Sequence, residues 1–237
     1  MTQSTGPAWI LGLTLGVGLI AASYTIGQQL MAIKQLERTV QVKGLSEREV
    51  PADIVIWPIK FNDVGTDLGS LVSSIERKNT QVIEFLKAQG FRPDEISVSV
   101  PAIVDRQAGY NDGNPNQPRF TASSIVTVYS QQVAIAQTAQ QKLIDLSKQG
   151  IALAGQDYDS KIEYIFSDLN RIKPEMIEEA TRNAREVAGK FAADSQSAVG
   201  KIKQANQGQF SISDRDSSTP HIKKVRVVST VDYYLSD

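Results

Sequence analysis

Apolar residues follow three different rhythms along this chain, and each predicts a different kind of element. From Pro7 to Ile26 the rhythm is unbroken: PAWILGLTLGVGLIAASYTI carries no charge, and the first charged side chain is Lys34. At about 1.5 Å of rise per residue, twenty helical residues cover the roughly 30 Å of a bilayer's hydrocarbon core. The pattern predicts a membrane-spanning helix over 7–26, continued through good helix formers to Arg38.

From Thr39 the period drops to two, which predicts strands. TVQVKG alternates Val40 and Val42 with polar partners and is expected to stop at Gly44 before the turn LSERE. ADIVIWPIKFNDV places Val55, Trp57, Ile59 and Phe61 on one face, with Pro58 arguing for an edge strand or a bulge. Glu95 to Val104 sets Ile96, Val98, Val100, Ala102 and Val104 on one face. FTASSIVTVY resumes the alternation after QAGYNDGNPNQP (107–118), a loop rich in Gly, Pro and Asn that joins two antiparallel strands. Shorter strands are expected near Tyr158–Phe166 and Ile202–Ile212, and VRVVSTVDYYL closes the chain.

The third rhythm is helical. Thr66 or Asp67 caps a helix that Gly90 ends, with Leu68, Val72, Ile75, Val82 and Leu86 as its inward stripe. A second helix runs from Gln131 to Lys148, carrying Val133, Ala136, Ala139, Leu143 and Leu146 inward. A third opens at Pro174, has Glu175, Glu178 and Glu179 near its positive end, and runs to Gly200. Its expected stripe is Ile177, Ala180, Ala184, Val187, Phe191 and Ala198, alanine-rich enough to lie close to its support. The order, roughly ββαββαβαββ after the first helix, matches helices on a mostly antiparallel sheet, an α+β fold. The expected division is 1–38 as membrane anchor and juxtamembrane extension, and 39–237 as one α+β domain.

The first segment admits a second interpretation, a secretory signal cleaved after Ser23, with Ala21 as the other small residue. The start MTQSTG lacks the basic n-region of such signals and the apolar stretch is long, which favours a retained anchor. Lys34, Arg38 and Lys43 follow it and locally favour a cytoplasmic side, though long domains translocate largely regardless of such charges. Ala8, Gly12 and Gly16 recur every four residues, the small-xxx-small spacing that lets two membrane helices pack closely. Gly and Ala are also common in apolar segments generally, so this face carries self-association only as a hypothesis.

Composition narrows the chemistry. Charged residues are 22% and hydrophobic ones 41% of the chain, ordinary for a globular protein. A formal net charge of −1 gives no field to recruit nucleic acid, which is not expected as a partner. Without cysteine there is no disulfide, thiolate nucleophile or cysteine-held metal. The one histidine, His221, follows Ser217, Ser218, Thr219 and Pro220 and is expected as an exposed turn residue, since no GxSxG elbow accompanies it. Asp214 and Asp216 flank Arg215, too few ligands for a calcium loop. No phosphate-binding or dinucleotide glycine motif is present. Trp57 belongs with its apolar face-mates in the core, and Tyr233 and Tyr234 with the sheet. No catalytic, cofactor or metal residue is expected.

VQVKGLSEREVPADI, FTASSIVTVYSQQV, the helix EEATRNAREVAGKFAADSQSAVGKI and the closing VRVVSTVDYYL together resemble the SIMPL-domain family of bacterial periplasmic and cell-envelope proteins. The resemblance covers about Thr39 to Asp237 and rests on the order of elements. It implies an α+β fold, a place in the envelope, ring-like or barrel-like homo-oligomers in some relatives, and a link to oxidative stress. It carries over no catalytic residue. The resulting expectation is a non-enzymatic, single-pass inner-membrane protein with a periplasmic domain that homo-oligomerises, held to lipid through residues 7–26. The alternative is a monomeric periplasmic binding module that presents the 107–118 loop to a partner.

Overall fold

The computed structural model describes residues 6–35, 38–108, 117–155 and 160–236, with side chains of the first helix described from 12 to 29. Helix α1 spans Gly6–Gln35, so the apolar run and the polar extension form one continuous helix. Among the described residues, no helix is long and apolar enough to cross a membrane. The expected span 7–26 is thus not shown as a membrane helix, and its first five side chains lie outside the described residues.

The remaining elements are β1 (Thr39–Pro51), β2 (Ile54–Gly65), α2 (Leu68–Gln89), a 3₁₀ turn Pro93–Glu95, β3 (Ile96–Val98), β4 (Ala102–Asp105), β5 (Phe120–Ser130), α3 (Val133–Gln141), α4 (Ile144–Lys148), β6 (Ala152–Leu153), β7 (Glu163–Ile165), α5 (Leu169–Asp194), β8 (Ala198–Gln207), β9 (Ser211–Asp214) and β10 (Ile222–Ser236). Helices accompany antiparallel sheets, as the α+β expectation required. The described chain gathers into two compact units. One comprises 1–47, 173–210 and 226–237, the other 48–172 and 211–225.

The second unit is built on β2 and β5, which pair antiparallel from Val55↔Ser130 to Gly65↔Phe120. Val55, Trp57, Ile59 and Phe61 are buried as the alternation predicts, and meet Ala122, Val126 and Val128 of β5 in the larger core. Pro58 is central rather than on an edge. Across from β5, β2 pairs with β7 at 54–56 and with β6 at 61–62, so the missing N–H falls at the gap between them. Helix α2 closes this core. The Asp67 carboxylate accepts the Ser70 N–H at 2.8 Å, and Gly90 at φ 107° ends the helix in the left-handed conformation that glycine adopts without strain. Its buried stripe is Leu71, Ile75, Val82 and Leu86, while Leu68 and Val72 turn outward.

Two elements are shorter than periodicity implied. The strand expected over 95–104 breaks at Val100–Pro101 into β3 and β4, and both pair with β5. Val100 is 92% exposed, and Val98 and Val104 are exposed too, so the expected inward face is not one. The helix expected from Gln131 to Lys148 divides into α3 and α4. Residues 109–116 and 156–159, parts of the expected loop and strand, lie outside the described residues.

The first unit packs α5 on strands β1, β10 and β8, which lie in that order. Met176, Ala180, Ala184, Ala188 and Ala192 are buried, a strict four-residue row. Phe191, expected inward, is instead 55% exposed, although Ala188 and Ala192 beside it are buried. Gly44 does not end β1. The strand continues through it to Pro51, and Ser46, beyond the expected stop, is buried with its hydroxyl donating to Glu179 at 2.8 Å. Helix α5 starts before Pro174, leaving the proline at its sixth residue, and it ends at Asp194 rather than at Gly200, which lies within β8. Its start is fastened in the second unit by Asp53, which accepts from the N–H groups of Ser167 and Asp168 and from the Ser167 hydroxyl at 2.8–3.1 Å.

Candidate functional site

A concavity of about 920 Å³ lies wholly within the second unit. Three segments build it. Helix α3 contributes Gln137, Gln140 and Gln141, which share one face because residues three and four apart are helical neighbours. Strand β7 and the residues before it contribute Lys161, Ile162 and Tyr164. The turn between β9 and β10 contributes Asp214, Asp216, Ser217, Ser218, Pro220 and His221.

The turn is rigidly made. Asp216 accepts from the N–H groups of Ser218 and Thr219, both at 2.8 Å, and from the Thr219 hydroxyl. Its carboxylate also pairs with the Arg215 guanidinium at 3.0 Å. The Thr219 hydroxyl first, then Arg215 and the two amides, outweigh the desolvation that opposes them and hold Asp216 well below the usual carboxylate range. Arg215 reaches on to Glu49 at 3.4 Å, and Lys223, nearly buried, pairs with Asp214. The backbone is tied down where the His221 carbonyl accepts from the Ala52 N–H at 2.8 Å.

The ring of His221 lies edge-on to Tyr164, with centroids 6.0 Å apart. His221 is half-buried, which corrects its expected exposure although it does sit in a turn. The Tyr164 hydroxyl accepts from Gln140 Nε2 at 3.1 Å. Among the described residues the imidazole makes no hydrogen bond to a carboxylate or a serine hydroxyl, and no group of three His, Asp or Glu side chains could hold a metal ion. Among the described residues the cleft therefore pairs no nucleophile with a base.

The remaining expected positions fall elsewhere. Ala8 lies outside the described residues. Beyond the helix's own backbone, a methyl group at Gly12 or Gly16 would meet nothing within 4 Å, so among the described residues this small-residue face is unoccupied. Trp57 is buried beside Phe91, ring centroids 6.4 Å apart. Tyr233 is buried against α5 with Arg185 over its ring, whereas Tyr234 faces outward under Lys203. At the base of the 107–118 loop, Arg119 grips Asp105 through two nitrogens at 2.7–3.1 Å. The glutamine triplet, absent from the expectations above, carries a sequence signal of its own, its i, i+3, i+4 spacing.

One protein family matches residues 40–232, from the start of β1 into β10: SIMPL, described as a protein of unknown function (DUF541). The chain belongs to the SIMPL family. The match takes in both compact units and begins after α1, so the cleft is built on SIMPL-domain residues and the first helix stands outside the matched region. No curated protein matches the sequence.

Proposed function

We propose that this SIMPL protein is a non-enzymatic, membrane-tethered component of the cell envelope, with its folded part in the periplasm. It works as a homo-oligomer, in a structural or stress-protective role. The surface of α1 supports the tether. Leu13, Val17 and Ile20 fall on one side of the helix, Leu15, Leu19 and Ile26 on the opposite side, and all are 58–73% exposed. A helix that is apolar all round is stable only when lipid or protein covers it. Extended to Pro7, the uncharged run reaches the length of a bilayer core. The unoccupied positions Gly12 and Gly16 give a second copy room to pack against the first.

Alkaline carbonate extraction of membranes carrying the full chain tests the tether, with retention in the pellet expected. Release into the supernatant, or a mature chain starting beyond Ser23, overturns it. Light scattering of the detergent-solubilised protein tests self-association, which a monomer at micromolar concentration refutes.

A further inference from the structure

The cleft of the second unit has the make-up of a site for a neutral ligand rather than for an ion. Its fixed charges are matched in place: Asp214 by Lys223, Asp216 by Arg215 and by the amides and hydroxyl of its own turn. An incoming cation would find these carboxylates already engaged. Among the described lining residues, an incoming anion would find only Lys161, exposed at the rim, as an uncommitted positive charge.

What remains unengaged is neutral. Among the described residues the side-chain amides of Gln137 and Gln141, the hydroxyl of Ser217 and the imidazole of His221 make no hydrogen bond within the chain. The Tyr164 hydroxyl accepts from Gln140, which leaves its own proton free to donate. We propose that this cleft binds a neutral, polyhydroxylated ligand, a short saccharide. Each sugar hydroxyl both donates and accepts, and a primary amide presents a donor and an acceptor side by side, so a row of glutamines matches a row of hydroxyls. The C–H faces of a sugar ring need apolar surface as well, and the Tyr164 and His221 rings together with Ile162 and Pro220 supply it. A volume of about 920 Å³ lies near the top of the range of about 300–1,000 Å³ typical of small-ligand sites. The proposal stands independently of the tether.

Amide NMR of the full chain in detergent, titrated separately with cellobiose, maltose and N,N′-diacetylchitobiose, tests it. Inorganic phosphate and tetraglycine serve as probes of anion and peptide binding. At least one disaccharide is expected to shift resonances of 137–141, 164 and 217–221 saturably. The double variant Gln137→Ala/Gln141→Ala is expected to weaken that binding at least tenfold at unchanged melting temperature, and Lys161→Ala by less than twofold. The proposal is overturned if no disaccharide shifts these resonances. It is equally overturned if only phosphate does so and Lys161→Ala abolishes the effect, or if only tetraglycine binds.

Discussion

Gly44 of β1 and Ala180 of α5 approach so closely that a methyl group on Gly44 would lie 1.8 Å from the Ala180 carbonyl oxygen and 2.5 Å from the Ala184 nitrogen. Both obstacles are backbone, so no rotamer change relieves them. The glycine is therefore what allows helix and sheet to touch main chain to main chain, and the alanine row of α5 is the matching half of the same contact.

Gly44→Ala is expected to destabilise the protein by about 3 kcal/mol, at the upper end of the usual overpacking cost, because a whole helix must shift. Gly189, exposed on the far side of α5 with nothing within 4 Å of a new methyl group, predicts the opposite sign. Gly189→Ala is expected to add about 0.5–1 kcal/mol through helix propensity alone. Urea denaturation of the two variants checks both, and equal effects would show that backbone contact is not the cause.

How far this contact could be read from the sequence depends on what each residue signals locally. The alanines of α5 announced a close approach, but a glycine inside an alternating strand reads as a stop, because what fills its missing side chain comes from residues far along the chain. Periodicity likewise treats Phe191 as a core candidate equal to Val187, yet only Val187 packs against the core and Phe191 is exposed. The strands of the second unit were legible where they are central, as at Val55 to Phe61. They were not legible at the edge, where Val100 alternates correctly yet, among the described residues, has no partner strand to bury it. In the cleft, Gln137 and its neighbours look like ordinary solvated helix until the turn carrying His221 is brought over from the end of the chain.

Acid should weaken the fold through groups held below their ordinary range. In Asp63 desolvation pulls upward, but hydrogen bonds from Lys78, Ser74 and the Val64 N–H outweigh it; Lys78 lies at 2.8 Å and both side chains are largely covered. In Glu95 desolvation is likewise outweighed, by the Arg92 N–H, Ser130, Gln132 and the Arg92 charge. A carboxylate whose folded value is depressed binds fewer protons folded than unfolded. Its contribution is therefore complete above the ordinary values of 3.8 and 4.5, and is lost as pH falls through the lower folded ones. Denaturation midpoints are expected to hold steady from pH 7 to 5 and then drop toward pH 3. Asp63→Asn should flatten part of that drop, and an unchanged slope would remove Asp63 from the account.

Tyr233 offers a stabilising substitution. Its ring is buried and its hydroxyl has no hydrogen-bond partner among the described atoms, and the same holds for the Ser229 hydroxyl. A buried orphan of this kind costs about 1–3 kcal/mol, whereas removing it while keeping the shape restores part of that. Tyr233→Phe is expected to raise stability by about 1 kcal/mol in thermal or urea unfolding. A loss of similar size would mean that the hydroxyl is satisfied, by a trapped water or by a second copy of the chain.

The proposed tether makes its own prediction at Val17, near the middle of the apolar run and exposed on α1. An arginine at the centre of a membrane helix is disfavoured by about 3 kcal/mol on insertion scales, while one at the end reaches the headgroups. Val17→Arg is thus expected to move much of the chain into the carbonate supernatant, whereas Gln29→Arg should leave it in the pellet. Neither change touches the SIMPL-matched residues, so the melting temperature of the folded part should stay the same in both. If Val17→Arg remained fully membrane-bound but fell apart into monomers, α1 would be covered by other copies of itself, and lipid would not be its main solvent.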